Sequence, residues 1–145
     1  MNNTVQIACR INTTDVLSQL GLTIKLNDDI IFNSEHINGP VDFAHELNDD
    51  DGEHLLEFIM KNKTDKDTKI DVEGNIVKDA SLIISDLAFD ELELKHVFVE
   101  HAVYSHNFNG SGKNVQDKFY GEMGCNGTVS LKFTTPIYMW LLENM

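Results

Sequence analysis

Cysteine and proline are scarce in this chain, each occurring twice among 145 residues. Two cysteines, Cys9 and Cys125, cannot build the disulfide framework on which small secreted domains rely, and no C-x-x-C pair offers a zinc or redox site. A reduced, intracellular chain is the expectation. No Pro-rich linker, repeat of fixed period or low-complexity tract divides the sequence, so one domain over residues 1–145 is expected. No run approaches the roughly 18 apolar residues of a membrane span. The opening Met1-Asn2-Asn3-Thr4-Val5-Gln6 lacks the basic and apolar regions of a secretory signal.

Positive charge is also in short supply, with 11 Lys and Arg against 24 Asp and Glu and a formal net charge of -13. Such a balance repels phosphate backbones and anionic lipids, which argues against nucleic acid or membrane as a partner. Mimicry of DNA would need dense acidic stripes, whereas the acids here are scattered and only Asn48-Asp49-Asp50-Asp51 forms a run.

What the chain does have is a globular balance, 41% hydrophobic with 24% charged residues, and a domain of about 150 residues buries roughly 68–70% of its unfolded surface. Gly, Asn and Asp punctuate short pieces at the spacing of strands. The segments Val5–Ile11, Val41–Leu47, His54–Met60, Leu82–Leu87, Leu92–Phe98 and Val99–Tyr104 read as strands. Thr23–Leu26 and Ile30–Phe32 around Asn27-Asp28-Asp29 read as a hairpin, and a second is expected around Glu73-Gly74. A third is expected where Asn126-Gly127, the dipeptide suited to a type I′ turn, separates Phe119–Met123 from Thr128–Phe133. Short helices are expected at Asp15–Leu20 and, after Pro136, at Ile137–Glu143. The predicted fold is an all-β, jelly-roll-like antiparallel β-sandwich with one or two short helices.

No G-x-S-x-G elbow, H-E-x-x-H, phosphate-binding loop or dinucleotide fingerprint is present, so a non-enzyme is expected. The six histidines, His36, His45, His54, His96, His101 and His106, are spaced oddly or too far apart to share an ion on one strand face. Asn48–Glu53 gathers hard oxygens beside Gly52, which makes Asp49, Asp51 and Glu53 candidate Ca²⁺ ligands. The run lacks the alternating D-x-D-x-D-G spacing and reads more readily as a solvated turn linking the strands on either side. No other cofactor is indicated.

Tyr104, His106, Phe108, Asn109 and Tyr120 are candidate ligand-binding residues, since aromatic faces with amide and imidazole hydrogen bonds suit a shallow glycan site. The competing reading makes Phe108 the plug of a loop and the tyrosines ordinary sheet residues. Ile137, Tyr138, Trp140 and Leu141 lie in an unusually apolar chain end that either folds back over an open end of the sandwich or docks on another subunit.

The run from about Thr68 to Met145, with Asp71-Val72-Glu73-Gly74-Asn75-Ile76-Val77, Phe89-Asp90-Glu91-Leu92 and Gly124-Cys125-Asn126-Gly127-Thr128-Val129, resembles small β-sandwich proteins of contractile-tailed bacteriophages. The resemblance implies an accessory virion or fibre part that docks and does no chemistry. The expectation is thus a structural, assembly or decoration component of a phage particle, made in the host cytoplasm and carried in the virion. It would bind a larger protein surface and itself as a homo-oligomer. Two alternatives stay open: a glycan-binding protein similar in outline to carbohydrate-binding modules, whose calcium and aromatic residues are not matched position by position, and an intracellular inhibitor of a host enzyme.

Overall fold

Alternation of apolar and polar residues writes the two sheets. In a strand successive side chains point to opposite faces. In β1 (Thr4–Thr13) Val5, Ile7, Cys9 and Ile11 therefore turn inward; Leu56, Phe58 and Met60 do so in β5 (Gly52–Lys61), and Val129, Leu131 and Phe133 in β13 (Gly127–Thr135). Each large apolar side chain so buried contributes about 1.5–3 kcal/mol. A computed structural model describes residues 4–107 and 112–144.

One sheet runs β12 (Glu122–Met123), β8 (Leu82–Phe89), β1, β4 (Val41–Asn48), with the two-residue β9 (Leu92–Glu93) also on β8. The other runs β11 (Val115–Lys118), β10 (Val103–His106), β13, β5, β2 (Gly21–Leu26), β3 (Asp29–Ser34). The pairs in both are antiparallel, and the chain passes repeatedly from one sheet to the other, as the predicted β-sandwich requires. A separate hairpin, β6 (Thr68–Ile70) and β7 (Ile76–Asp79), stands outside both sheets.

Turn chemistry explains two connections. Asn27 and Asp28 take φ of 53° and 70°, and Asp90 and Glu91 take 49° and 70°, the paired left-handed angles of type I′ turns. The hairpin expected at Glu73-Gly74 is also found, with Gly74 at φ 86°. The one expected at Asn126-Gly127 is not. β12 pairs with β8 in one sheet and β13 with β5 and β10 in the other, so no hairpin joins them. Gly127 is required for another reason: a Cβ there would sit 2.4 Å from the Ser105 carbonyl oxygen. Asn126 instead clasps Lys63, accepting from its N–H at 3.0 Å and donating to its carbonyl at 2.9 Å.

Two further expectations are corrected. Residues 92–104 hold a helix, α1 (His96–His101), between β9 and β10 rather than two strands. Leu94, Val97, Phe98 and Ala102 are buried at helical spacing, and that tertiary burial outweighs the strand preference of Val97 and Val99. Asp15–Leu20 forms turns only. The Asp15 carboxylate accepts from Leu17 N–H and the Ser18 hydroxyl, an alternative to helical bonding, and Leu20 turns into the core. The C-terminal helix is present as α2 (Ile137–Asn144).

α2 folds back over its own sandwich. Ile137, Trp140 and Leu141 are buried, with Trp140 packed edge-on to Phe89 and Phe133 at 6.5 and 6.3 Å. These three candidate interface residues are therefore core residues of the chain itself; Tyr138, the fourth, is exposed beside Met139 and Leu142.

Candidate functional site

The site is built where β10 ends at His106 and β11 begins at Val115. β10 and β11 pair with Tyr104 opposite Asp117 and His106 opposite Val115. Tyr104 lies beneath this end of the sheet, and its hydroxyl donates to the carbonyl of Cys125 and accepts from the Cys125 N–H at 2.8 Å. That double bond to one residue ties the Cys125-Asn126 turn to the sheet. Burial, opposed by the Cys125 hydrogen bond, pushes the Tyr104 phenol up to about 12.

His106 packs on Tyr104, with ring centroids 4.6 Å apart at 40°, and its Nε2 lies 3.1 Å from Asp117 Oδ2. The His106 side chain is 8% exposed and that of Asp117 60%, so the imidazole is fixed and the carboxylate faces water. Around them opens a cleft of about 530 Å³ lined by Ser105, His106, Asn107, Asn114, Gln116 and Asn126. Volumes of roughly 300–1,000 Å³ are those of small-molecule sites. A primary amide presents a donor and an acceptor side by side, as does each sugar hydroxyl, so this lining suits a neutral polyhydroxyl ligand.

Of the residues expected to bind ligand, His106 lines the cleft and Tyr104 supports it from below. Phe108 and Asn109 lie outside the described residues. Tyr120 does not return to this end. Lys118 pairs with Val103, at the far end of β10 from His106, and the chain then continues through the buried Phe119 to Tyr120, which is 76% exposed. At about 3.4 Å per residue this separates Tyr120 from the cleft by roughly 10 Å or more. Asn114, Gln116 and Asn126 escaped the sequence reading; the density of amides from Asn107 to Gln116 was the available signal.

The candidate calcium ligands are not brought together either. Among the described residues no three His, Cys, Asp or Glu side chains gather as a metal site. Asp51 is exposed in the β4–β5 connection and Glu53 is exposed near the start of β5, while Asp49 accepts from the Ile137 N–H at 2.8 Å, acting as the acceptor for the N-terminus of α2.

A second cleft, about 500 Å³, opens beside His54, Lys132, Thr134 and Trp140. Asn27 Oδ1 accepts from Leu55 N–H, which turns its amide nitrogen toward His54 Nδ1 at 2.9 Å. His54 Nε2–H then donates to Thr135 Oγ1 at 2.9 Å, and that hydroxyl donates to the Asp50 carbonyl. The ring also stacks on Phe133 at 5.1 Å. Both nitrogens are engaged in holding β2, β5 and β13 together, so His54 serves the fold.

No protein-family model matches the chain, and no curated protein does. Solved structures that share its fold include one described as vCBM60 in complex with galactobiose, with a TM-score of 0.50 and 11% identity over 87% of this chain and 96% of that one. Another is the selenomethionine form of vCBM60, described as linking two families of calcium-dependent carbohydrate-binding modules by circular permutation. It has a TM-score of 0.50 and 10% identity, covering 88% of this chain and 89% of that one. Identities this low speak to the fold alone. Both neighbours are carbohydrate-binding modules and neither is a virion part, so the reading as a phage structural, assembly or decoration component is overturned.

Proposed function

We propose that this chain is a glycan-binding module that holds a neutral saccharide in the amide-lined cleft at the end of β10 and β11. The observation that carries the reading is the convergence of Asn107, Asn114, Gln116 and Asn126 beside the fixed His106–Asp117 pair. The fold it shares with modules that bind carbohydrate supports it.

Recognition is by hydrogen bonding. The Asn114 and Gln116 amides donate to and accept from sugar hydroxyls above Asn126, whose own amide is held by Lys63, and the pairing of Asp117 with His106 leaves further carboxylate lone pairs for a hydroxyl donor.

Calcium does not fit the described residues at this cleft. Ca²⁺ takes six to eight oxygens, several of them carboxylate, whereas the lining contributes amides and the single neighbouring carboxylate of Asp117, already turned to His106.

The test is a panel of neutral oligosaccharides that includes galactobiose, read with and without a chelator. Saturable binding to at least one, unaltered by chelation, is expected. Failure to bind any member would remove the reading.

A further inference from the structure

A third cleft carries chemistry opposite to that of the chain as a whole. Of the 11 cationic residues, Lys61, Lys63, Lys66, Lys69 and Lys78 fall within 18 consecutive positions. Three of these five are committed: Lys61 to Glu35 at 2.7 Å, Lys63 to Asp79 at 2.5 Å and Lys78 to Asp15 at 3.1 Å. Lys66 and Lys69 pair with no carboxylate among the described residues. Together with Lys78 they line a hollow of about 490 Å³ bounded by residues 15–19, 62–67 and the β6–β7 hairpin.

The two acids in this lining are turned into their own loops. Asp15 accepts from Leu17 N–H at 3.1 Å and the Ser18 hydroxyl at 3.0 Å, besides Lys78. Asp67 accepts from the N–H and hydroxyl of Thr64 at 2.8 and 3.3 Å. Ser18 and Thr64 thus spend their protons on these acids and keep oxygen lone pairs for a ligand's hydroxyls, while Gln19 supplies an amide.

The hollow is also held in shape. Asp79 at the hairpin base grips the buried Lys63 and accepts from the Thr68 hydroxyl at 2.7 Å, and Ala80 N–H donates to the Asp67 carbonyl at 2.9 Å.

We infer that this hollow binds the carboxylate of an acidic saccharide, with Lys66 and Lys69 as the anion's partners and Ser18, Gln19 and Thr64 meeting its hydroxyls. Ammonium groups recognise oxyanions as point charges. The net charge of -13 opposes a long polyanion such as nucleic acid, so a short ligand presenting one or two carboxylates is the match. The site is separate from the amide cleft, and only the saccharide carrier of the carboxylate rests on the glycan reading.

The test is a nuclear magnetic resonance titration of the whole chain with digalacturonate, with galactobiose as its neutral counterpart and inorganic phosphate at matched ionic strength. Digalacturonate should shift amides of residues 15–19 and 62–69 saturably, and Lys66→Gln with Lys69→Gln should weaken it about tenfold, as should raised salt. Asn114→Ala with Gln116→Ala should leave this binding unaltered, which separates it from the amide cleft. Absence of saturable shifts, or equal binding by the lysine variant, would overturn the site. Shifts of the same size from phosphate would overturn the saccharide assignment.

Discussion

Lys63 and Asp79 meet at 2.5 Å with the ammonium side chain 1% exposed and the carboxylate 42% exposed. The asymmetry decides which partner matters more. Lys63 also donates to the Gly124 carbonyl, so one buried cation holds the β6–β7 hairpin and the 124–126 turn, and through Asn126 the floor of the amide cleft, in one arrangement.

Removing Asp79 strands a buried ammonium, whereas removing Lys63 leaves a carboxylate that water can reach. Breaking a buried pair costs about 3–5 kcal/mol, and the exposure of Asp79 reduces that for the lysine change. Asp79→Ala is expected to cost about 3 kcal/mol and Lys63→Met about 1–2 kcal/mol. Urea unfolding of both variants gives the order.

Acid sensitivity should appear in two windows. Burial lowers the pKa of His54, against an opposing pull from Asp49. Its unfolded value is about 6.5. A pKa depressed in the fold means that the unfolded chain binds the proton first, so this contribution is complete above pH of about 6.5 and is lost as pH falls through the folded value. Protonated Nδ1–H would also face the donor amide of Asn27. Asp15, Glu35 and Asp71, each lowered chiefly by hydrogen bonds, from Lys78, Lys61 and the Asn75 N–H respectively, lose theirs at lower pH, below about 4 to 4.5. Unfolding midpoints measured from pH 8 to 3 should fall in both windows, and His54→Gln should flatten only the upper one.

α2 is expected to behave as part of the core. Trp140→Ala should cost about 3–5 kcal/mol, and Leu142→Ala, on the exposed face, within about 0.5 kcal/mol of nothing. Asp49→Ala removes the acceptor for the Ile137 N–H and should cost about 0.5–2 kcal/mol. Thermal or denaturant melts distinguish these from an interface role, in which oligomeric mass would change and stability would not.

Gly127→Ala places a Cβ 2.4 Å from the Ser105 carbonyl oxygen and 2.9 Å from His106 Cβ. The β10–β13 pairing must open to admit it, at about 1–3 kcal/mol. Glycan affinity should fall with it, because Ser105 and His106 line the cleft. Calorimetry on the folded variant reads the loss of affinity, and denaturant unfolding the loss of stability.

The sandwich was legible where side-chain periodicity reports burial directly. Val5, Ile7, Cys9 and Ile11 announce β1, and Asn27-Asp28 announces its turn through the left-handed angles those residues tolerate. α1 was hidden because Val97 and Val99 favour strands locally, while the contacts that bury Leu94, Val97 and Phe98 come from distant segments. Phe98, for instance, packs against Phe119 and Phe58. Asn126-Gly127 misled for the same reason: Gly127 answers to Ser105 across the sheet and Asn126 to Lys63, neither of them local.

The site was only half legible. His106 reaches the cleft because it ends β10. Tyr120 could not be placed, because the end of the sandwich it occupies depends on the β10–β11 register, which sequence does not encode. Asn114 and Gln116 carry no spacing signature; amides become a site only when folding converges them.

The central claim is that the amide cleft binds a neutral saccharide, and calorimetric titration of the wild-type chain and of Asn114→Ala with Gln116→Ala tests it most directly. With the best glycan from the panel, the account predicts saturable binding by the wild type and an affinity about tenfold or more weaker in the folded double variant. Equal affinity in both would contradict it and move the saccharide away from this cleft.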